Sequence, residues 1–582
     1  MVALLHVHIM RKLILLLLFT FSVFAASAQD IPEHISYTRI YDYLDELATD
    51  GFIELNSVVK PYSRSFIAGK LLEAQTKDKL NKRQRDELAF FLNEFVLEQD
   101  NLPKSYLKLA KNDQLTLAFI QPAFHYRDTL FRARITPLLG MHITHNDNGN
   151  IIKRWYGADL QLMISKHLSV YGSLRDVSIE GALLARPTYL NDYPGYEYKE
   201  SSVGGDYSDS RGGIKYSWNW GSVGLVKDNV VWGDNYHGSN ILSGRVPSFP
   251  MLTLHLKPAK WFEMQYFHGW LVSNVPDSTR YYLDNNDKRQ YRMANKFIAA
   301  NMFTITPVRN LNVSFGNSII YAEENIQPAY FIPIAFYKSI DHTLTKGLSL
   351  ENQNSQVFLN FSSRNINHLH LFTSVYADDI SFSRFLPSVA QKNPISYKLG
   401  ACLTNFPVQN LSLAGEFTRT NIITYKHSIP ALTWASNNYN LGSYLGDNSQ
   451  EIYLALTYKP IRGLDLKLSY VDAKHGNEFN YIRREANGVD ATNIFLAQPQ
   501  LGEISWSNQT IGLNAQYEVF NNAYAIINIE NSDIRGYDLT STPIAGDSSE
   551  NLQTAQGYLD LFSPKYLQGQ HTTVTVGFSI GF

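Results

Sequence analysis

The last twelve residues of the chain, 571–582, constrain its fold more than any other segment. They read HTTVTVGFSIGF, and from Val574 onward every second residue is apolar while the residues between are Thr, Gly or Ser. This alternation predicts a strand with one apolar face and one small polar face. A half-buried strand of a soluble protein has the same period. A strand that ends on an aromatic residue, here Phe582, is typical of the closing strand of a bacterial outer-membrane β-barrel.

The other end of the chain has the pattern of an export signal. Arg11 and Lys12 give a positive start, residues 13–25 are an unbroken run of apolar or small residues, and the tripeptide ASA ends at Ala28. This predicts a secretory signal peptide over residues 1–28. A membrane anchor helix is disfavoured because the run is shorter than the roughly 20 residues that span a bilayer. No cysteine lies near the cleavage point, which excludes a lipoprotein.

The composition fits a membrane protein built from strands. Aromatic residues make up 13% of the chain and charged residues only 18%, as expected where lipid-facing and water-facing positions alternate. The net charge of -2 argues against nucleic acid as a partner. The single cysteine, Cys402, cannot form an intramolecular disulfide or a multi-cysteine metal site, so we interpret it as a small strand residue.

A repeated short turn organises the body of the chain. Its four variants are KPAKW from Lys257, TPVRNL from Thr306, FPVQNL from Phe406 and KPIRGL from Lys459, each between alternating strands. Tight turns without proline fall near residues 166–167, 219–220, 364–365 and 521–522. Short turns that alternate with long loops are the arrangement of outer-membrane barrels, whose short turns lie in the periplasm.

Counting hairpins from a first strand near residues 131–145 gives eighteen strands, with both ends of the barrel sequence on the periplasmic side. The strand-like segment 115–126 is left outside the wall, because including it would break this parity. The predicted fold class is therefore all-β transmembrane, an antiparallel outer-membrane β-barrel of about 18 strands over residues 129–582. Charged side chains that alternate with apolar ones are predicted to face a wet lumen: Arg132, Arg134, Asp159, Glu263, Glu416, Asp465 and Lys467.

Residues 29–128 have a helical pattern instead. Apolar residues recur at helical spacing at Ile40, Leu44 and Leu47 before Gly51, and again at Leu88, Phe91, Leu92 and Phe95 after a possible cap at Asn81, with a third candidate helix at residues 65–74. This predicts a small N-terminal α-helical periplasmic domain with a strand-like connector. We interpret the charged run 79–87 as its solvated face, and a docking surface for a periplasmic partner is the alternative.

Two motifs carry a resemblance to a known family. They are DTLFRARITPLLG, from Asp128 to Gly140 at the entry to the barrel, and VWGDNYHGSNILS, from Val231 to Ser243 in the third long loop. With the signal peptide, the helical segment and the eighteen strands, the chain resembles the Wzi-type capsule-assembly proteins. The resemblance implies an outer-membrane lectin that helps to hold capsular polysaccharide on the cell surface, without indicating which polysaccharide.

The third long loop has the chemistry of a sugar site. An aromatic face binds the C–H surface of a sugar, and planar polar side chains bind its hydroxyls. The candidate glycan-binding residues are Trp232, Asp234, Asn235, Tyr236, His237, Asn240 and Arg245, and each has an alternative role in loop packing or in the aromatic belt. A second loop has similar chemistry at Arg186, Tyr189, Tyr193, Tyr196 and Tyr198, where the tyrosines alternatively close the barrel mouth.

Catalytic and metal motifs are missing from the sequence, which contains no G-x-S-x-G, no H-E-x-x-H and no phosphate-binding glycine loop. His368 and His370 share one face of a strand and are interpreted as polar lumen lining, because further metal ligands are lacking. The closeness of His237 and Ser239 in sequence does not make them a catalytic pair. We therefore predict no catalytic residue, no metal and no cofactor.

Three classes of function are compatible with these patterns. A glycan-binding outer-membrane protein of capsule or exopolysaccharide assembly is favoured. A porin or substrate-specific channel would be distinguished by an open lumen, and an outer-membrane enzyme would need a clustered acid, base or nucleophile. The expected partners are surface polysaccharide, outer-membrane lipid and the barrel-assembly machinery acting on the strand that ends at Phe582. The predicted location is the outer membrane, with the helical domain periplasmic and the long loops extracellular.

Overall fold

Eighteen antiparallel strands close into one barrel, which confirms the fold class predicted from the sequence. The computed structural model describes residues 30–110, 113–119, 122–181, 199–201, 204–345, 353–477, 496–539 and 554–581. The predicted signal peptide, the tyrosine-rich loop from Arg186 to Tyr198 and the terminal Phe582 lie outside the described residues. The barrel strands, labelled β1 to β18, span Phe131–Asn146, Gly149–Ile164, Leu168–Gly181, Gly204–Trp218, Gly221–Asp228, Phe249–Ala259, Phe262–Leu271, Lys296–Val308, Leu311–Tyr321, Gln353–Ile366, Leu369–Ala377, Ile395–Thr404, Leu411–Thr420, Ser449–Tyr458, Leu464–Gly476, Ile504–Phe520, Ala523–Gly536 and Gly569–Ile580.

The barrel closes where β18 pairs with β1, and the apolar face of β18 is on the outside. Val576 and Phe578 are 52% and 47% exposed on the outer surface. Thr575 lies between Val574 and Val576 in the sequence and faces the lumen. It forms a hydrogen bond of 2.9 Å with Thr144 of β1. The side-chain directions of the closing strand are therefore those that its alternation predicts.

The four proline-containing turns all join strands at the same end of the barrel, between β6 and β7, β8 and β9, β12 and β13, and β14 and β15. In three of them the residue before the final leucine has a left-handed backbone, with φ of 62° at Asn310, 65° at Asn410 and 84° at Gly463. Asn and Gly adopt this conformation at lower cost than other residues, which explains why they recur at this position. We call this the short-turn end and the opposite one the long-loop end.

The charged side chains predicted to point inward do so. Arg134 pairs with Glu94 of the N-terminal segment at 2.6 Å, and Asp465 accepts a hydrogen bond from Arg39 at 2.9 Å. The other five contact lumen groups as well: Arg132 the Leu97 carbonyl, Asp159 the Gln161 amide, Glu263 the Asn56 amide, Glu416 the Tyr236 backbone and Lys467 the Tyr453 ring. These contacts confirm the strand registers inferred from alternation.

Three helices of the N-terminal segment lie in the lumen at the short-turn end: α1 (Thr38–Thr49), α2 (Arg64–Gln75) and α3 (Lys82–Glu94). Asn81 caps α3 in a capping box with Gln84, as the sequence predicts. In the described parts of the long loops, two more helices follow, α4 (Tyr337–Thr345) and α5 (Ala555–Phe562). Among the described residues, no helix is both long and apolar enough to cross a membrane.

Polar contacts tie the helical segment to the barrel wall around its circumference. Asp50, which follows α1, lies 2.7 Å from the Asn405 amide and 2.8 Å from His368 Nδ1. Elsewhere around the barrel, Glu46 pairs with Lys459 at 3.2 Å, Glu94 accepts from Asn522 at 2.9 Å, and Asp30 pairs with Lys215 at 2.7 Å. The helical segment therefore spans the short-turn mouth of the barrel.

The interpretation of residues 79–87 as a solvated face is only partly right. Lys82, Arg85 and Asp86 are exposed, but Arg83 and Glu87 are buried. Arg83 pairs with Glu46 and Glu87 pairs with Arg39, both on α1. The reason is that α3 contacts both α1 and the lumen wall, so one side of its charged turn forms buried ion pairs. Helical periodicity of apolar residues does not reveal such a polar contact.

The strand-like segment before the barrel lies beside the closed ring. Leu115–Ala118 and Ala123–Arg127 form a hairpin whose second strand pairs with β1 near the short-turn end, with Phe124 opposite Ile135. The same edge of β1 pairs with β18 from Leu139 onward. The hairpin therefore extends the sheet at the short-turn end of the barrel. It does not change the count of eighteen strands in the ring.

Candidate functional site

The loop between β5 and β6 folds into the lumen. Its segment Val231–Trp232 pairs with Val59–Lys60 of the helical segment on one side and with Leu242–Ser243 on the other, which gives a three-stranded sheet inside the barrel. We call residues 229–248 the inserted loop. It contains all seven candidate glycan-binding residues, so its path decides which of them are available to a ligand.

Three of the seven candidates are buried and hold the inserted loop in place. Trp232 is 2% exposed and packs edge-on against Phe267, with ring centroids 5.1 Å apart. The Asp234 carboxylate accepts a hydrogen bond from the Asn360 amide at 2.7 Å. The Asn240 amide donates to carbonyl oxygens of two adjacent strands, at 3.3 and 3.0 Å. The polar atoms of Asp234 and Asn240 are engaged within the protein.

Tyr236 and Asn235 are half-buried and are also engaged by protein groups. The Tyr236 hydroxyl donates to Asp45 of α1 at 2.6 Å and lies 2.7 Å from Nδ1 of His370, a residue predicted to line the lumen. Burial opposes ionisation of Asp45, but the Arg364 guanidinium, His370 and the Tyr236 hydrogen bond together outweigh it and lower the pKa of this carboxyl to about 2. Asn235 donates to a carbonyl of its own loop at 2.8 Å. Tyr236 thus links the inserted loop to the helical segment.

His237 and Arg245 belong to a cluster of planar and aromatic side chains. The His237 ring stacks on Tyr453 of β14, with centroids 4.2 Å apart and an interplanar angle of 11°. The Arg245 guanidinium lies 4.3 Å from the centroid of the Tyr444 ring. Glu451 of β14 accepts a hydrogen bond from the Tyr444 hydroxyl and lies 3.5 Å from His237 Nε2. We call these five residues the lumen cluster.

The lumen cluster offers the groups that sugar recognition requires. His237, Arg245 and Tyr444 are half-buried, so part of each side chain is accessible, 23% in the case of His237. Arginine and histidine are planar donors for hydroxyl and carboxylate oxygens, and ring faces bind C–H surfaces. Burial raises the pKa of Tyr444 well above its usual value, so its phenol stays protonated.

Ser239 is engaged by the backbone and not by His237. Its hydroxyl donates to the Trp232 carbonyl and accepts from the Ile241 amide at 3.1 Å. His237 instead faces Glu451 and the Tyr453 ring. The two residues, which are two positions apart in sequence, therefore have separate environments.

Sequence reasoning identified His237 and Arg245 but missed the other three members of the lumen cluster. Glu451 and Tyr453 are two residues apart on the inner face of β14, and alternation was sufficient to place them in the lumen. Their proximity to the inserted loop depends on the register of the whole barrel. Tyr444 lies in the long loop before β14, where there is no periodicity to read.

Comparisons with known proteins agree with the barrel fold and with the sugar-binding chemistry of the lumen cluster. The family model for capsule assembly protein Wzi matches residues 196–543, more than half of the chain. No curated protein matches it. Among solved structures, Wzi of Escherichia coli, an outer membrane protein involved in group 1 capsule assembly and a carbohydrate-binding β-barrel, is similar with a TM-score of 0.55 and 11% identity, over 95% of this chain and 99% of that chain.

Two further solved structures share less of the architecture. OprD of Pseudomonas aeruginosa has a TM-score of 0.38 and 9% identity over 77% of this chain and 94% of that chain. OccAB4 of Acinetobacter baumannii has a TM-score of 0.39 and 9% identity over 78% and 98%. The extent of the family match, together with the eighteen-stranded barrel, shows that the chain is an outer-membrane β-barrel that belongs to the Wzi family of capsule assembly proteins.

Proposed function

We propose that the protein binds surface polysaccharide and assists the assembly or attachment of a capsule or exopolysaccharide. The lumen cluster carries this proposal, because it combines two planar donors, His237 and Arg245, with two ring faces, Tyr444 and Tyr453. Membership of the Wzi family and the carbohydrate-binding property of the Escherichia coli protein support it. Trp232, one of the three buried candidates, supports the loop and does not contact the glycan.

We infer that the short-turn end, whose mouth the helical segment fills, faces the periplasm and that the long-loop end faces the cell exterior. Outer-membrane barrels have short periplasmic turns and longer extracellular loops. Glu451 of the lumen cluster is two residues from the long-loop end of β14 at Ser449. In this orientation a surface polysaccharide reaches the cluster from outside.

The contents of the lumen favour binding over a channel. Helices of the N-terminal segment span the short-turn mouth, and the inserted loop forms a hydrophobic core with the loop before β14, in which Trp434 and Leu441 are buried. A porin requires a continuous water-filled path. The helices and this hydrophobic core lie inside the barrel, where such a path would have to run.

A binding role is also favoured over an enzymatic one. Acyl or glycosyl transfer would need a nucleophile or a pair of carboxyl groups free to react with the substrate. Ser239 is engaged by backbone atoms, and Glu451 is held by the Tyr444 hydroxyl.

We infer two further partners from the barrel itself. Val576 and Phe578, exposed on β18, would contact the acyl chains of outer-membrane lipid. The barrel-assembly machinery would act on the same strand, since its pairing with β1 is the step that closes the sheet and leaves no unpaired edge in lipid.

The test is the amount of polysaccharide retained per cell in a strain that lacks the gene. The wild-type gene should restore retention, and His237→Ala with Arg245→Ala should not. Arg419→Ala is the control and should restore it fully, because Arg419 alternates with buried Thr418 and Thr420 and so lies on the outer face of β13. Heat-modifiable migration on gels checks that each variant is inserted.

Two results would contradict the proposal. Full retention by the inserted double variant would show that the lumen cluster is not the binding site. Unchanged surface polysaccharide in the deletion strain, with reduced uptake of small solutes, would show that the protein transports solutes and does not retain polysaccharide.

A further inference from the structure

The loop between β9 and β10 lies on the outside of the barrel. Tyr330 and Tyr337 of this loop are fully buried, although neither is in the lumen. They pack on a wall formed by Met264, Tyr266, Phe297, Ala299, Ile319 and Tyr321. These wall residues point outward, because they alternate with residues that face the lumen, such as Glu263 and Phe267 of β7. We call residues 327–344 the strap.

The strap covers polar side chains of the outer wall. Asn301 donates to the strap carbonyl of Ala335 at 2.9 Å, and Asn317 donates to Asn301 at 2.8 Å. Asn317 in turn accepts from the Tyr337 amide at 2.9 Å. His268, fully buried, lies 2.7 Å from the Tyr321 hydroxyl. Lipid offers no such partners, so Asn301 and Asn317 could not be exposed to acyl chains without loss of their hydrogen bonds to the strap backbone.

The covered polar residues lie at the depth of the membrane. His268 and Asn317 are six residues, and Asn301 seven residues, from the short-turn ends of their strands. On three strands outside the strap, the residue six places from the same end is apolar and on the outer face: Val375, Phe417 and Ile452. Equal counts along equally tilted strands correspond to equal heights. The strap thus crosses the wall where uncovered strands are suited to acyl chains.

The outer face of the strap continues this apolar surface. Ile332, Ile334 and Phe336 alternate outward and are 49%, 71% and 53% exposed. Pro333 and Ala335, between them, are less exposed and contribute the carbonyls that bind Asn301. Three large apolar side chains exposed on one face would not stabilise a loop tip in water.

We propose that the strap is embedded in the membrane leaflet at the long-loop end, which is the outer leaflet in the proposed orientation, and that its partner is the acyl chains of outer-leaflet lipid. In this role the strap replaces the barrel wall as the lipid-facing surface over β7 to β9. The proposal extends beyond polysaccharide binding and does not depend on it.

The single cysteine of the chain makes a direct test possible. Cys402 is buried on β12, and Cys402→Ser gives a background for labelling at one site. Ile334→Cys in this background, labelled with an environment-sensitive fluorophore and reconstituted in phosphatidylcholine vesicles, should show blue-shifted emission. Phosphatidylcholine with brominated acyl chains should quench it as strongly as a label on Val576→Cys of the uncovered wall.

The water-exposed control is Tyr282→Cys, which is 56% exposed in the hairpin of another long loop and should be neither shifted nor quenched. Emission at position 334 like that of this control would overturn the proposal. Blue-shifted emission that brominated lipid fails to quench would also overturn it, because a protein surface would then cover the strap. If the Ile334→Cys protein does not fold, Ile332→Cys reports on the same face with the same two outcomes.

Discussion

At the scale of single residues, the inserted loop separates side chains that hold the structure from side chains that are available to a ligand. Trp232, Asp234 and Asn240 use their ring faces and polar atoms within the protein. His237 and Arg245 stack on tyrosine rings and keep part of their surface accessible. The two groups alternate within fifteen residues of sequence, so residue type alone does not distinguish them.

This division predicts different effects of truncating two tryptophans. Trp232→Ala should lower the free energy of unfolding by about 3–5 kcal/mol, because it removes a buried aromatic side chain from the core. Trp261→Ala should cost less, because Trp261 is 58% exposed in a short turn. Denaturant unfolding of the detergent-refolded barrel, followed by circular dichroism, measures both. Equal costs would contradict the structural role given to Trp232.

At the scale of elements, each strand presents one face to lipid and one to the lumen, and the position along the strand sets the depth. Val576 of β18 is four residues from the short-turn end at Ile580, whereas Thr572 is on the same outer face but nearer the long-loop end. The strap shows that a loop can take over the outer face of several strands. On the covered strands, whether an outward side chain is polar or apolar then depends on its contact with the strap and not on contact with lipid.

The depth of β18 gives a testable difference between two lysine substitutions. Val576→Lys should destabilise the barrel by about 2–4 kcal/mol, and Thr572→Lys by about 0–1 kcal/mol, since the cost of a charge facing lipid falls towards the interface. Unfolding in lipid vesicles at equilibrium gives both values. A smaller cost at position 576 than at position 572 would show that the strand is placed at the wrong depth.

At the scale of the whole molecule, local sequence patterns were sufficient for the barrel but not for the contents of its lumen. Alternation and the repeated turns gave eighteen strands and the inward direction of Arg134 or Asp465, because each depends on neighbours in the sequence. The inserted loop and the strap have no period of their own. Their positions result from contacts with distant segments, such as Val59–Lys60 for the first and Asn301 for the second.

The same limit applies to the candidate site. The sequence placed His237 and Arg245 in a sugar-binding loop, but their contacts with Tyr444, Glu451 and Tyr453 depend on the closed barrel and on the path of the loop inside it. The molecule as a whole is thus a barrel spanned by helices at one end, with planar and aromatic groups gathered in the lumen towards the other. This arrangement suits retention of a ligand better than its passage.

The most direct test of this account is the affinity of the purified protein for purified surface polysaccharide of the bacterium that encodes it, measured by isothermal titration calorimetry in detergent. The wild type and Arg419→Ala should bind with the same affinity. His237→Ala with Arg245→Ala should bind about 10-fold to 100-fold more weakly, which corresponds to the loss of about 1.5–3 kcal/mol for hydrogen bonds that involve a charged group. Absence of binding by the wild type, or equal affinity of the double variant, would contradict it.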